Sequence, residues 1–308
     1  MQTPCPHCDG LAIRGQPLPP MPLSLWMQWV PASRTRSLCS GRRAWIRASP
    51  SSNLDRMGSE SGRRENGYDL LGECERGWSG LASGWRDSVA SALNTKAAAA
   101  AEIVLVLAIT VGHRVLRVIP VDETVPIFIL GWLSLWLRRV GWKGIGLARP
   151  ANWGRVIALG VGTGILLQVL SEFVTEPVIG HLTHQVADLS EFAPLVGNLK
   201  LAAIYFALAW TWAAFGEELT YRGYVLNRAA DLGGRTPFAW SFGLVLVVGL
   251  FGFGHSYQGI AGMIDTGIHG LVFAILYFAS GRNLWASIIA HGVCDTVGIV
   301  AIFFGFGV

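Results

Sequence analysis

From Ala97 onward the chain alternates long apolar runs with short polar connections. The runs cover roughly residues 97–118, 124–138, 155–175, 200–224, 239–259, 263–280 and 284–306. A helix needs about 20 apolar residues to cross the hydrocarbon core of a bilayer. The second run is short, and little separates the fifth from the sixth. The pattern therefore predicts an all-α, polytopic transmembrane helical bundle of about seven spans, with six to eight compatible. Glycines recur inside the runs (Gly160, Gly162, Gly164; Gly249, Gly252, Gly254), which suits close helix–helix packing in lipid. No internal repeat is visible.

Residues 1–96 read differently. They show neither a helical nor a strand period, and arginines are interspersed with small residues, as in "RTRSLCSGRR" (34–43) and "SGRREN" (61–66). Such a segment is expected to be a basic, disordered N-terminal extension. It lacks the basic start and apolar centre of a secretory signal. Met57 offers a second start, which would leave residues 1–56 outside the expressed chain.

Composition agrees with the pattern. The 308 residues are 52% hydrophobic and 14% charged, against about 25% charged in soluble domains, and the mean hydropathy is +0.44. The net charge of +4 resides in the N-terminal extension, because acidic and basic residues balance from residue 97 on. It gives no reason to expect a nucleic-acid partner. Cys5, His7 and Cys8 have a CxxC spacing, but only isolated Cys39 and Cys74 follow in the extension. A four-ligand zinc site is not expected there. Cys294 reads as a small packing residue.

Loop charges set the expected orientation. The connection "RRVGWKGIGLARPANWGR" (138–155) is basic, as are the turns around Arg228 and Arg235 and around Arg282. The connection at about 176–199 carries Glu176, Asp188 and Glu191 ahead of Lys200. The basic turns are expected in the cytoplasm, with the N-terminus there too. Trp132, Trp136, Trp142 and Trp153 read as an interfacial belt, and His113 beside Arg114 as an interfacial group.

Ionisable side chains within spans are costly and usually face an interior cavity. Glu217, Glu218 and Arg222 fall on the fourth run, His255 near the middle of the fifth, His269 on the sixth, and His291 with Asp295 on the seventh. Glu218 and Arg222 are four residues apart, so the arginine can neutralise that carboxylate. Glu217 points elsewhere, towards the bundle centre. His291 and Asp295 share the same spacing, either as an oriented imidazole or as two ligands of one ion. Counting about 1.5 Å per residue brings Glu217, His255 and His291 to one height if the 227–237 hairpin protrudes, some way below the cytoplasmic surface. His269 is expected to pack or to make a hydrogen bond.

Three of these groups form an ordered set: "EELTYR" (217–222) as EExxxR, "FGFGH" (251–255) as FxxxH, and "HGVCD" (291–295) as HxxxD. On successive apolar runs, that set resembles the CPBP family of intramembrane metalloproteases, which includes type II CAAX prenyl proteases and Abi bacteriocin-immunity proteins. The resemblance covers residues 97–308 as a transmembrane protease domain, with a catalytic core at 200–306. It implies an endopeptidase in which Glu217 activates water, His255 helps to hold it, and Glu218 and Arg222 support the site. His291 would face the scissile carbonyl or bind a metal. Asp295 stands where the family has Asn or Asp. An ionised Asp only accepts hydrogen bonds, so orienting His291 suits it better than stabilising an oxyanion.

The chemistry stands without the family. Peptide hydrolysis needs a base for water and a donor or Lewis acid for the oxyanion, and a carboxylate in apolar surroundings is a stronger base than one in water. The cofactor stays open: zinc held by Glu217, His255 and His291, or a metal-free glutamate mechanism. The expected partners are the bilayer and a peptide or membrane-protein substrate, with a lipidated C-terminus as one form of it. Cleavage is expected near the cytoplasmic face, and the setting is a bacterial plasma membrane. The rivals are a non-catalytic scaffold or immunity protein of the same fold and a proton-coupled transporter, for which repeated halves would be expected.

Overall fold

The computed structural model describes residues 84–307, and the remainder of the N-terminal extension lies outside the described residues, as do Cys5, Cys8 and Met57. The described part is predominantly helical, without a strand among the described residues. It opens with a short helix, α1 (84–93), inside the segment expected to be disordered. Seven apolar helices follow: α2 (Lys96–Arg114), α3 (Thr124–Leu137), α4 (Trp153–Thr183), α5 (Leu199–Leu232), α6 (Pro237–Gly254), α7 (Gly259–Ala279) and α8 (Leu284–Phe303). All but α3 are long and apolar enough to cross a bilayer. Seven runs become seven helices, in the expected order.

Local chemistry explains the starts. Thr95, Asn152, Asn198, Thr236 and Asn283 each accept a bond from a backbone N–H in the first turn of α2, α4, α5, α6 and α8, the usual way of satisfying orphan donors. Pro237 follows Thr236 at the first helical position, where a missing N–H costs nothing. Between α6 and α7 the chain breaks at His255 and restarts after a short 3₁₀ turn, with Gly259 in the left-handed region (φ 77°).

Two helices outrun their predicted spans. The fourth and fifth have 31 and 34 residues, and both contain wide π-helical turns, at Ser171–Thr175 and Ala209–Val225. Such turns are uncommon and concentrate at functional sites; the second carries Glu217, Glu218 and Arg222. Outward faces are apolar, with Phe173, Leu182, Phe238 and Val245 exposed, as expected of a surface turned to lipid.

The bundle has two ends. Residues 94–95, 138–152, 233–236 and 280–283 share one: Arg138 bonds Asn94 and Asp231, Leu284 N donates to Gly146 O, and Asn283 donates to Ala148 O. The connections 115–123, 184–198 and 255–258 share the other. Near the first end Glu102, in α2, is buried and accepts from Ser134, Tyr224 and both Nε and Nη2 of Arg228, at 2.8–2.9 Å. This satisfied carboxylate within a span is one the sequence reading passed over.

A small-residue seam joins α4 to α8. A Cβ on Gly164 would lie 2.5 Å from the Ala290 carbonyl oxygen and 2.9 Å from Val293, and one on Gly160 2.7 Å from Ile289. Backbone cannot yield as a side-chain tip can. Gly164→Ala is expected to push the helices apart and to destabilise the fold by about 1–3 kcal/mol, read as a lower melting temperature in detergent; an unchanged melting temperature would refute the seam.

Candidate active site

Helices α4 to α8, with the 184–198 connection, line a cavity of about 380 Å³. Glu217, His255, His291 and Asp295 all line it, whereas Glu218 and Arg222 lie behind its wall, fully buried. The six residues therefore split into a group that can touch a bound molecule and a pair that cannot.

The buried pair is tightly packed. Arg222 Nη1 donates to Glu218 Oε1 at 2.9 Å, and its Nη2 donates to the Gly270 carbonyl at 2.8 Å. The guanidinium lies 4.5 Å from the Phe251 ring centroid and 5.6 Å from that of Phe273, a favourable placement for a delocalised cation. Glu218 Oε1 also accepts from His291 Nδ1 at 3.1 Å. Phe273 stacks on the His291 ring, with centroids 4.7 Å apart. Position and ring plane of His291 are thus set from two sides.

This corrects the part expected of Asp295. Its Oδ2 is 3.7 Å from His291 Nε2, beyond hydrogen-bond length, and its side chain is partly exposed to the cavity. Glu218, from another helix, is the closer partner of His291. The sequence offered no signal for that contact, which depends on how α5 and α8 pack.

His255 is not near the middle of a span. It caps the C-terminal end of α6, where Nδ1–H donates to the Phe251 carbonyl at 2.9 Å. A carbonyl only accepts, so the proton on Nδ1 leaves Nε2 of the neutral ring as an acceptor. The ring lies 5.1 Å from Phe251 and 5.9 Å from Tyr257, centroid to centroid. Glu217 differs from its neighbour in having no bonded cation: its Oε2 is buried at the cavity without a hydrogen-bond partner among the described residues, whereas Glu218, whose Oε2 is also unpartnered, is held through Oε1 by Arg222 and His291.

His269 also lines the cavity and bonds the Asp265 carbonyl through Nδ1 at 2.9 Å, so the expected hydrogen bond is made within its own helix. Asp265 accepts from Ser171 and Thr175 at 2.9 Å, tying α7 to the π turn of α4. With Glu176 it belongs to the cavity wall. Sequence reasoning passed over Asp265, although Asp265 and His269 have the same spacing as the reversed pair His291 and Asp295, and it put Glu176 in a connection, whereas that residue lies within α4.

The donor atoms of Glu217, His255 and His291 do not converge as metal ligands would. Among the described residues, the one trio of His, Cys, Asp or Glu with donor atoms within 4.8 Å of one another is His113, Asp122 and Glu123. That trio is already engaged by Arg114, which donates to Glu123 at 2.9 Å and to Asp122 at 3.0 Å. A guanidinium in its midst makes it a poor cation site. In this arrangement neither trio fits a zinc ion.

The cavity does not lie where the counting placed it. From its four chemical side chains it runs past Phe192, Leu195, Tyr257 and Gln258 to the end bearing the 184–198 connection, away from the arginine-rich turns expected in the cytoplasm.

No curated protein and no solved structure matches the chain. Residues 199–297 match the family model described as Rce1-like, type II CAAX prenyl endopeptidase. That segment holds Glu217, Glu218, Arg222, His255, His291 and Asp295, from the start of α5 to the middle of α8. The chain is an integral membrane protein of helical-bundle fold, and over that segment, about a third of its length, it is similar to the Rce1-like type II CAAX prenyl endopeptidase family.

Proposed function

We propose that this protein is an intramembrane endopeptidase in which Glu217 activates water. The observation that carries the reading is the unpartnered Glu217 Oε2, buried at the wall of a cavity shared with His255 and His291. An unpaired buried carboxylate is costly, and a proton acceptor at a water-accessible wall is a use for it.

Water in the cavity donates one proton towards Glu217 and the other hydrogen bond to His255 Nε2. Its oxygen attacks the carbonyl carbon of the scissile bond as Glu217 takes the proton. His291, protonated on both nitrogens, donates Nδ1–H to Glu218 and turns Nε2–H to the developing oxyanion. When the tetrahedral intermediate collapses, the C–N bond breaks and Glu217 passes its proton to the leaving amine. Glu218 and Arg222 act through His291 as positioning residues.

The substrate is a peptide held at the bilayer by a lipid or a transmembrane segment. The cavity wall carries Glu176, Glu217, Asp265 and Asp295, with no Lys or Arg among its lining residues. Like-charge contacts cost several kcal/mol where desolvated. A peptide with basic residues flanking the bond is therefore expected to be cut at least about 10-fold faster, in kcat/KM, than its acidic counterpart. Equal rates would remove the carboxylates from specificity.

The direct test is incubation of the purified protein in nanodiscs with membrane-anchored peptides, farnesylated and unlipidated, with products read by mass spectrometry. New peptide ends that vanish with Glu217→Gln support the reading. Retained cleavage in that variant would overturn it, and cleavage lost on chelation would overturn the metal-free form of it.

A further inference from the structure

His255 owes its place to the end of a helix. Its ring is bonded to the Phe251 carbonyl in the last turn of α6 and the chain breaks there, so the imidazole sits where that turn sits. The turn is braced from outside the segment matched by the family model. Glu123, in the connection between α2 and α3, is 1% exposed. It abuts Gly254, the residue before His255: a Cβ on Gly254 would lie 2.8 Å from Glu123 Oε1 and 3.6 Å from Tyr221 Oη. On the far side of the imidazole, the Arg114 guanidinium lies 5.6 Å from the centroid of the Tyr257 ring, which is 5.9 Å from that of His255. Arg114 Nε is 2.9 Å from both oxygens of Glu123. One ion pair therefore meets the chain on both sides of His255.

The connection that carries the pair is itself well fixed. Asp122 Oδ1 accepts from Thr124 N at the start of α3, and its Oδ2 accepts from Arg114 Nη2 at 3.0 Å. The His113 ring bonds the Ile119 carbonyl at 2.8 Å, with Nε2 3.4 Å from Glu123 Oε2. Glu123 makes no capping bond to α3, which leaves its side chain to Arg114 and Gly254. Tyr221, one turn beyond Glu217 on α5, completes the assembly with its ring perpendicular to that of Phe251, centroids 5.3 Å apart. Arg114, Glu123 and Tyr221 do not line the cavity, but Phe251, His255 and Tyr257, which they touch or adjoin, do. Packing alone does not call for a carboxylate here. Burying a charge costs more than burying an apolar group of similar size, and the negative end of the α6 dipole disfavours it further. What a bonded carboxylate adds over an apolar group is a fixed direction.

We propose that Glu123, held by Arg114, is a positioning residue for His255: it fixes the last turn of α6, and with it the ring orientation in which Nδ1–H is bonded to Phe251 and Nε2 is left to the cavity. That His255 then holds a water for cleavage rests on the endopeptidase reading above; the positioning rests on the packing alone. The working site thus extends to the connection between α2 and α3, which contributes no residue to the cavity wall.

The test uses the full chain in nanodiscs, labelled with heavy-nitrogen histidine. Nitrogen NMR separates a protonated from an unprotonated ring nitrogen, and the His255 lines are identified by their loss in His255→Gln. The parent is expected to show His255 as one neutral tautomer, unprotonated at Nε2. In Glu123→Ala that signature is expected to give way to a mixture of tautomers, with the His269 and His291 lines in place. Cleavage by the same variant is expected to lose about 10- to 100-fold in kcat, with KM changed less than about twofold. Glu123→Gln keeps an acceptor for Arg114 and the contact with Gly254, and is expected to recover the parent signature and most of kcat. Gly254→Ala presses on the same carboxylate from α6 and is expected to disturb the same lines; it decides the question if Glu123→Ala is not monodisperse in detergent. A parent that is already mixed, or variants in which His255 is undisturbed, would overturn the proposal. So would equal disturbance of His269 and His291, which would make Glu123 a general structural residue, or a Glu123→Gln as impaired as Glu123→Ala, which would make its charge alone responsible. A parent that cleaves nothing but shows the His255 response sinks the endopeptidase reading and leaves the positioning standing.

Discussion

Glu217→Gln is expected to lower the rate of peptide cleavage by about 10²–10⁴-fold, the range that a positioned general base contributes, without lowering the melting temperature. The substitution keeps the shape of the side chain and removes only its basicity. No protein hydrogen bond to Oε2 is lost, because none is made. Removing an unpaired buried charge also relieves a desolvation cost, so the variant is expected to be as stable as the parent or slightly more so. Substrate affinity is expected to persist, which places the defect in kcat. Parallel steady-state kinetics and thermal unfolding in the same detergent check both halves. A melting temperature lower by several degrees would make Glu217 a structural residue, and an unchanged kcat would remove it from the chemistry.

That split between neighbouring glutamates was only half legible in the sequence. The i,i+4 spacing of Glu218 and Arg222 pointed to their ion pair, and the absence of a partner for Glu217 pointed to a different task; both arrangements are present. Apolar run lengths gave the helices α2 to α8, because lipid leaves the backbone few alternatives. Three features were out of reach. Residue counting gives heights along a helix but cannot say towards which end of the bundle the cavity runs; that depends on Phe192, Leu195, Tyr257 and Gln258 coming to line it. The capping position of His255 follows from the chain break between Gly254 and Gly259, in a stretch whose apolar pattern continues almost unbroken. The contact of Glu218 with His291 spans 73 residues and exists only once α5 and α8 have packed.

Arg222→Leu is expected to produce the opposite profile from Glu217→Gln: loss of stability first, with activity following. It strands Glu218, a fully buried carboxylate whose Oε2 already lacks a hydrogen bond. Breaking such a pair from one side costs about 3–5 kcal/mol, which corresponds to roughly 6–20 °C in melting temperature for a domain of this size. The stacking of the guanidinium between Phe251 and Phe273 is lost as well, and Phe273 is the ring on which His291 rests. The double variant Glu218→Leu/Arg222→Leu separates the two effects. Exchanging a whole buried ion pair for apolar groups of similar size is often neutral, so most of the melting temperature is expected to return. Activity is not, because His291 then has no acceptor for Nδ1–H, and a misplaced catalytic group costs on the order of 10²-fold. A double variant that regains activity together with stability would show that Glu218 merely neutralises Arg222. One that regains stability alone assigns Glu218 the task of holding His291 at the cavity, which is why a second carboxylate stands beside the first.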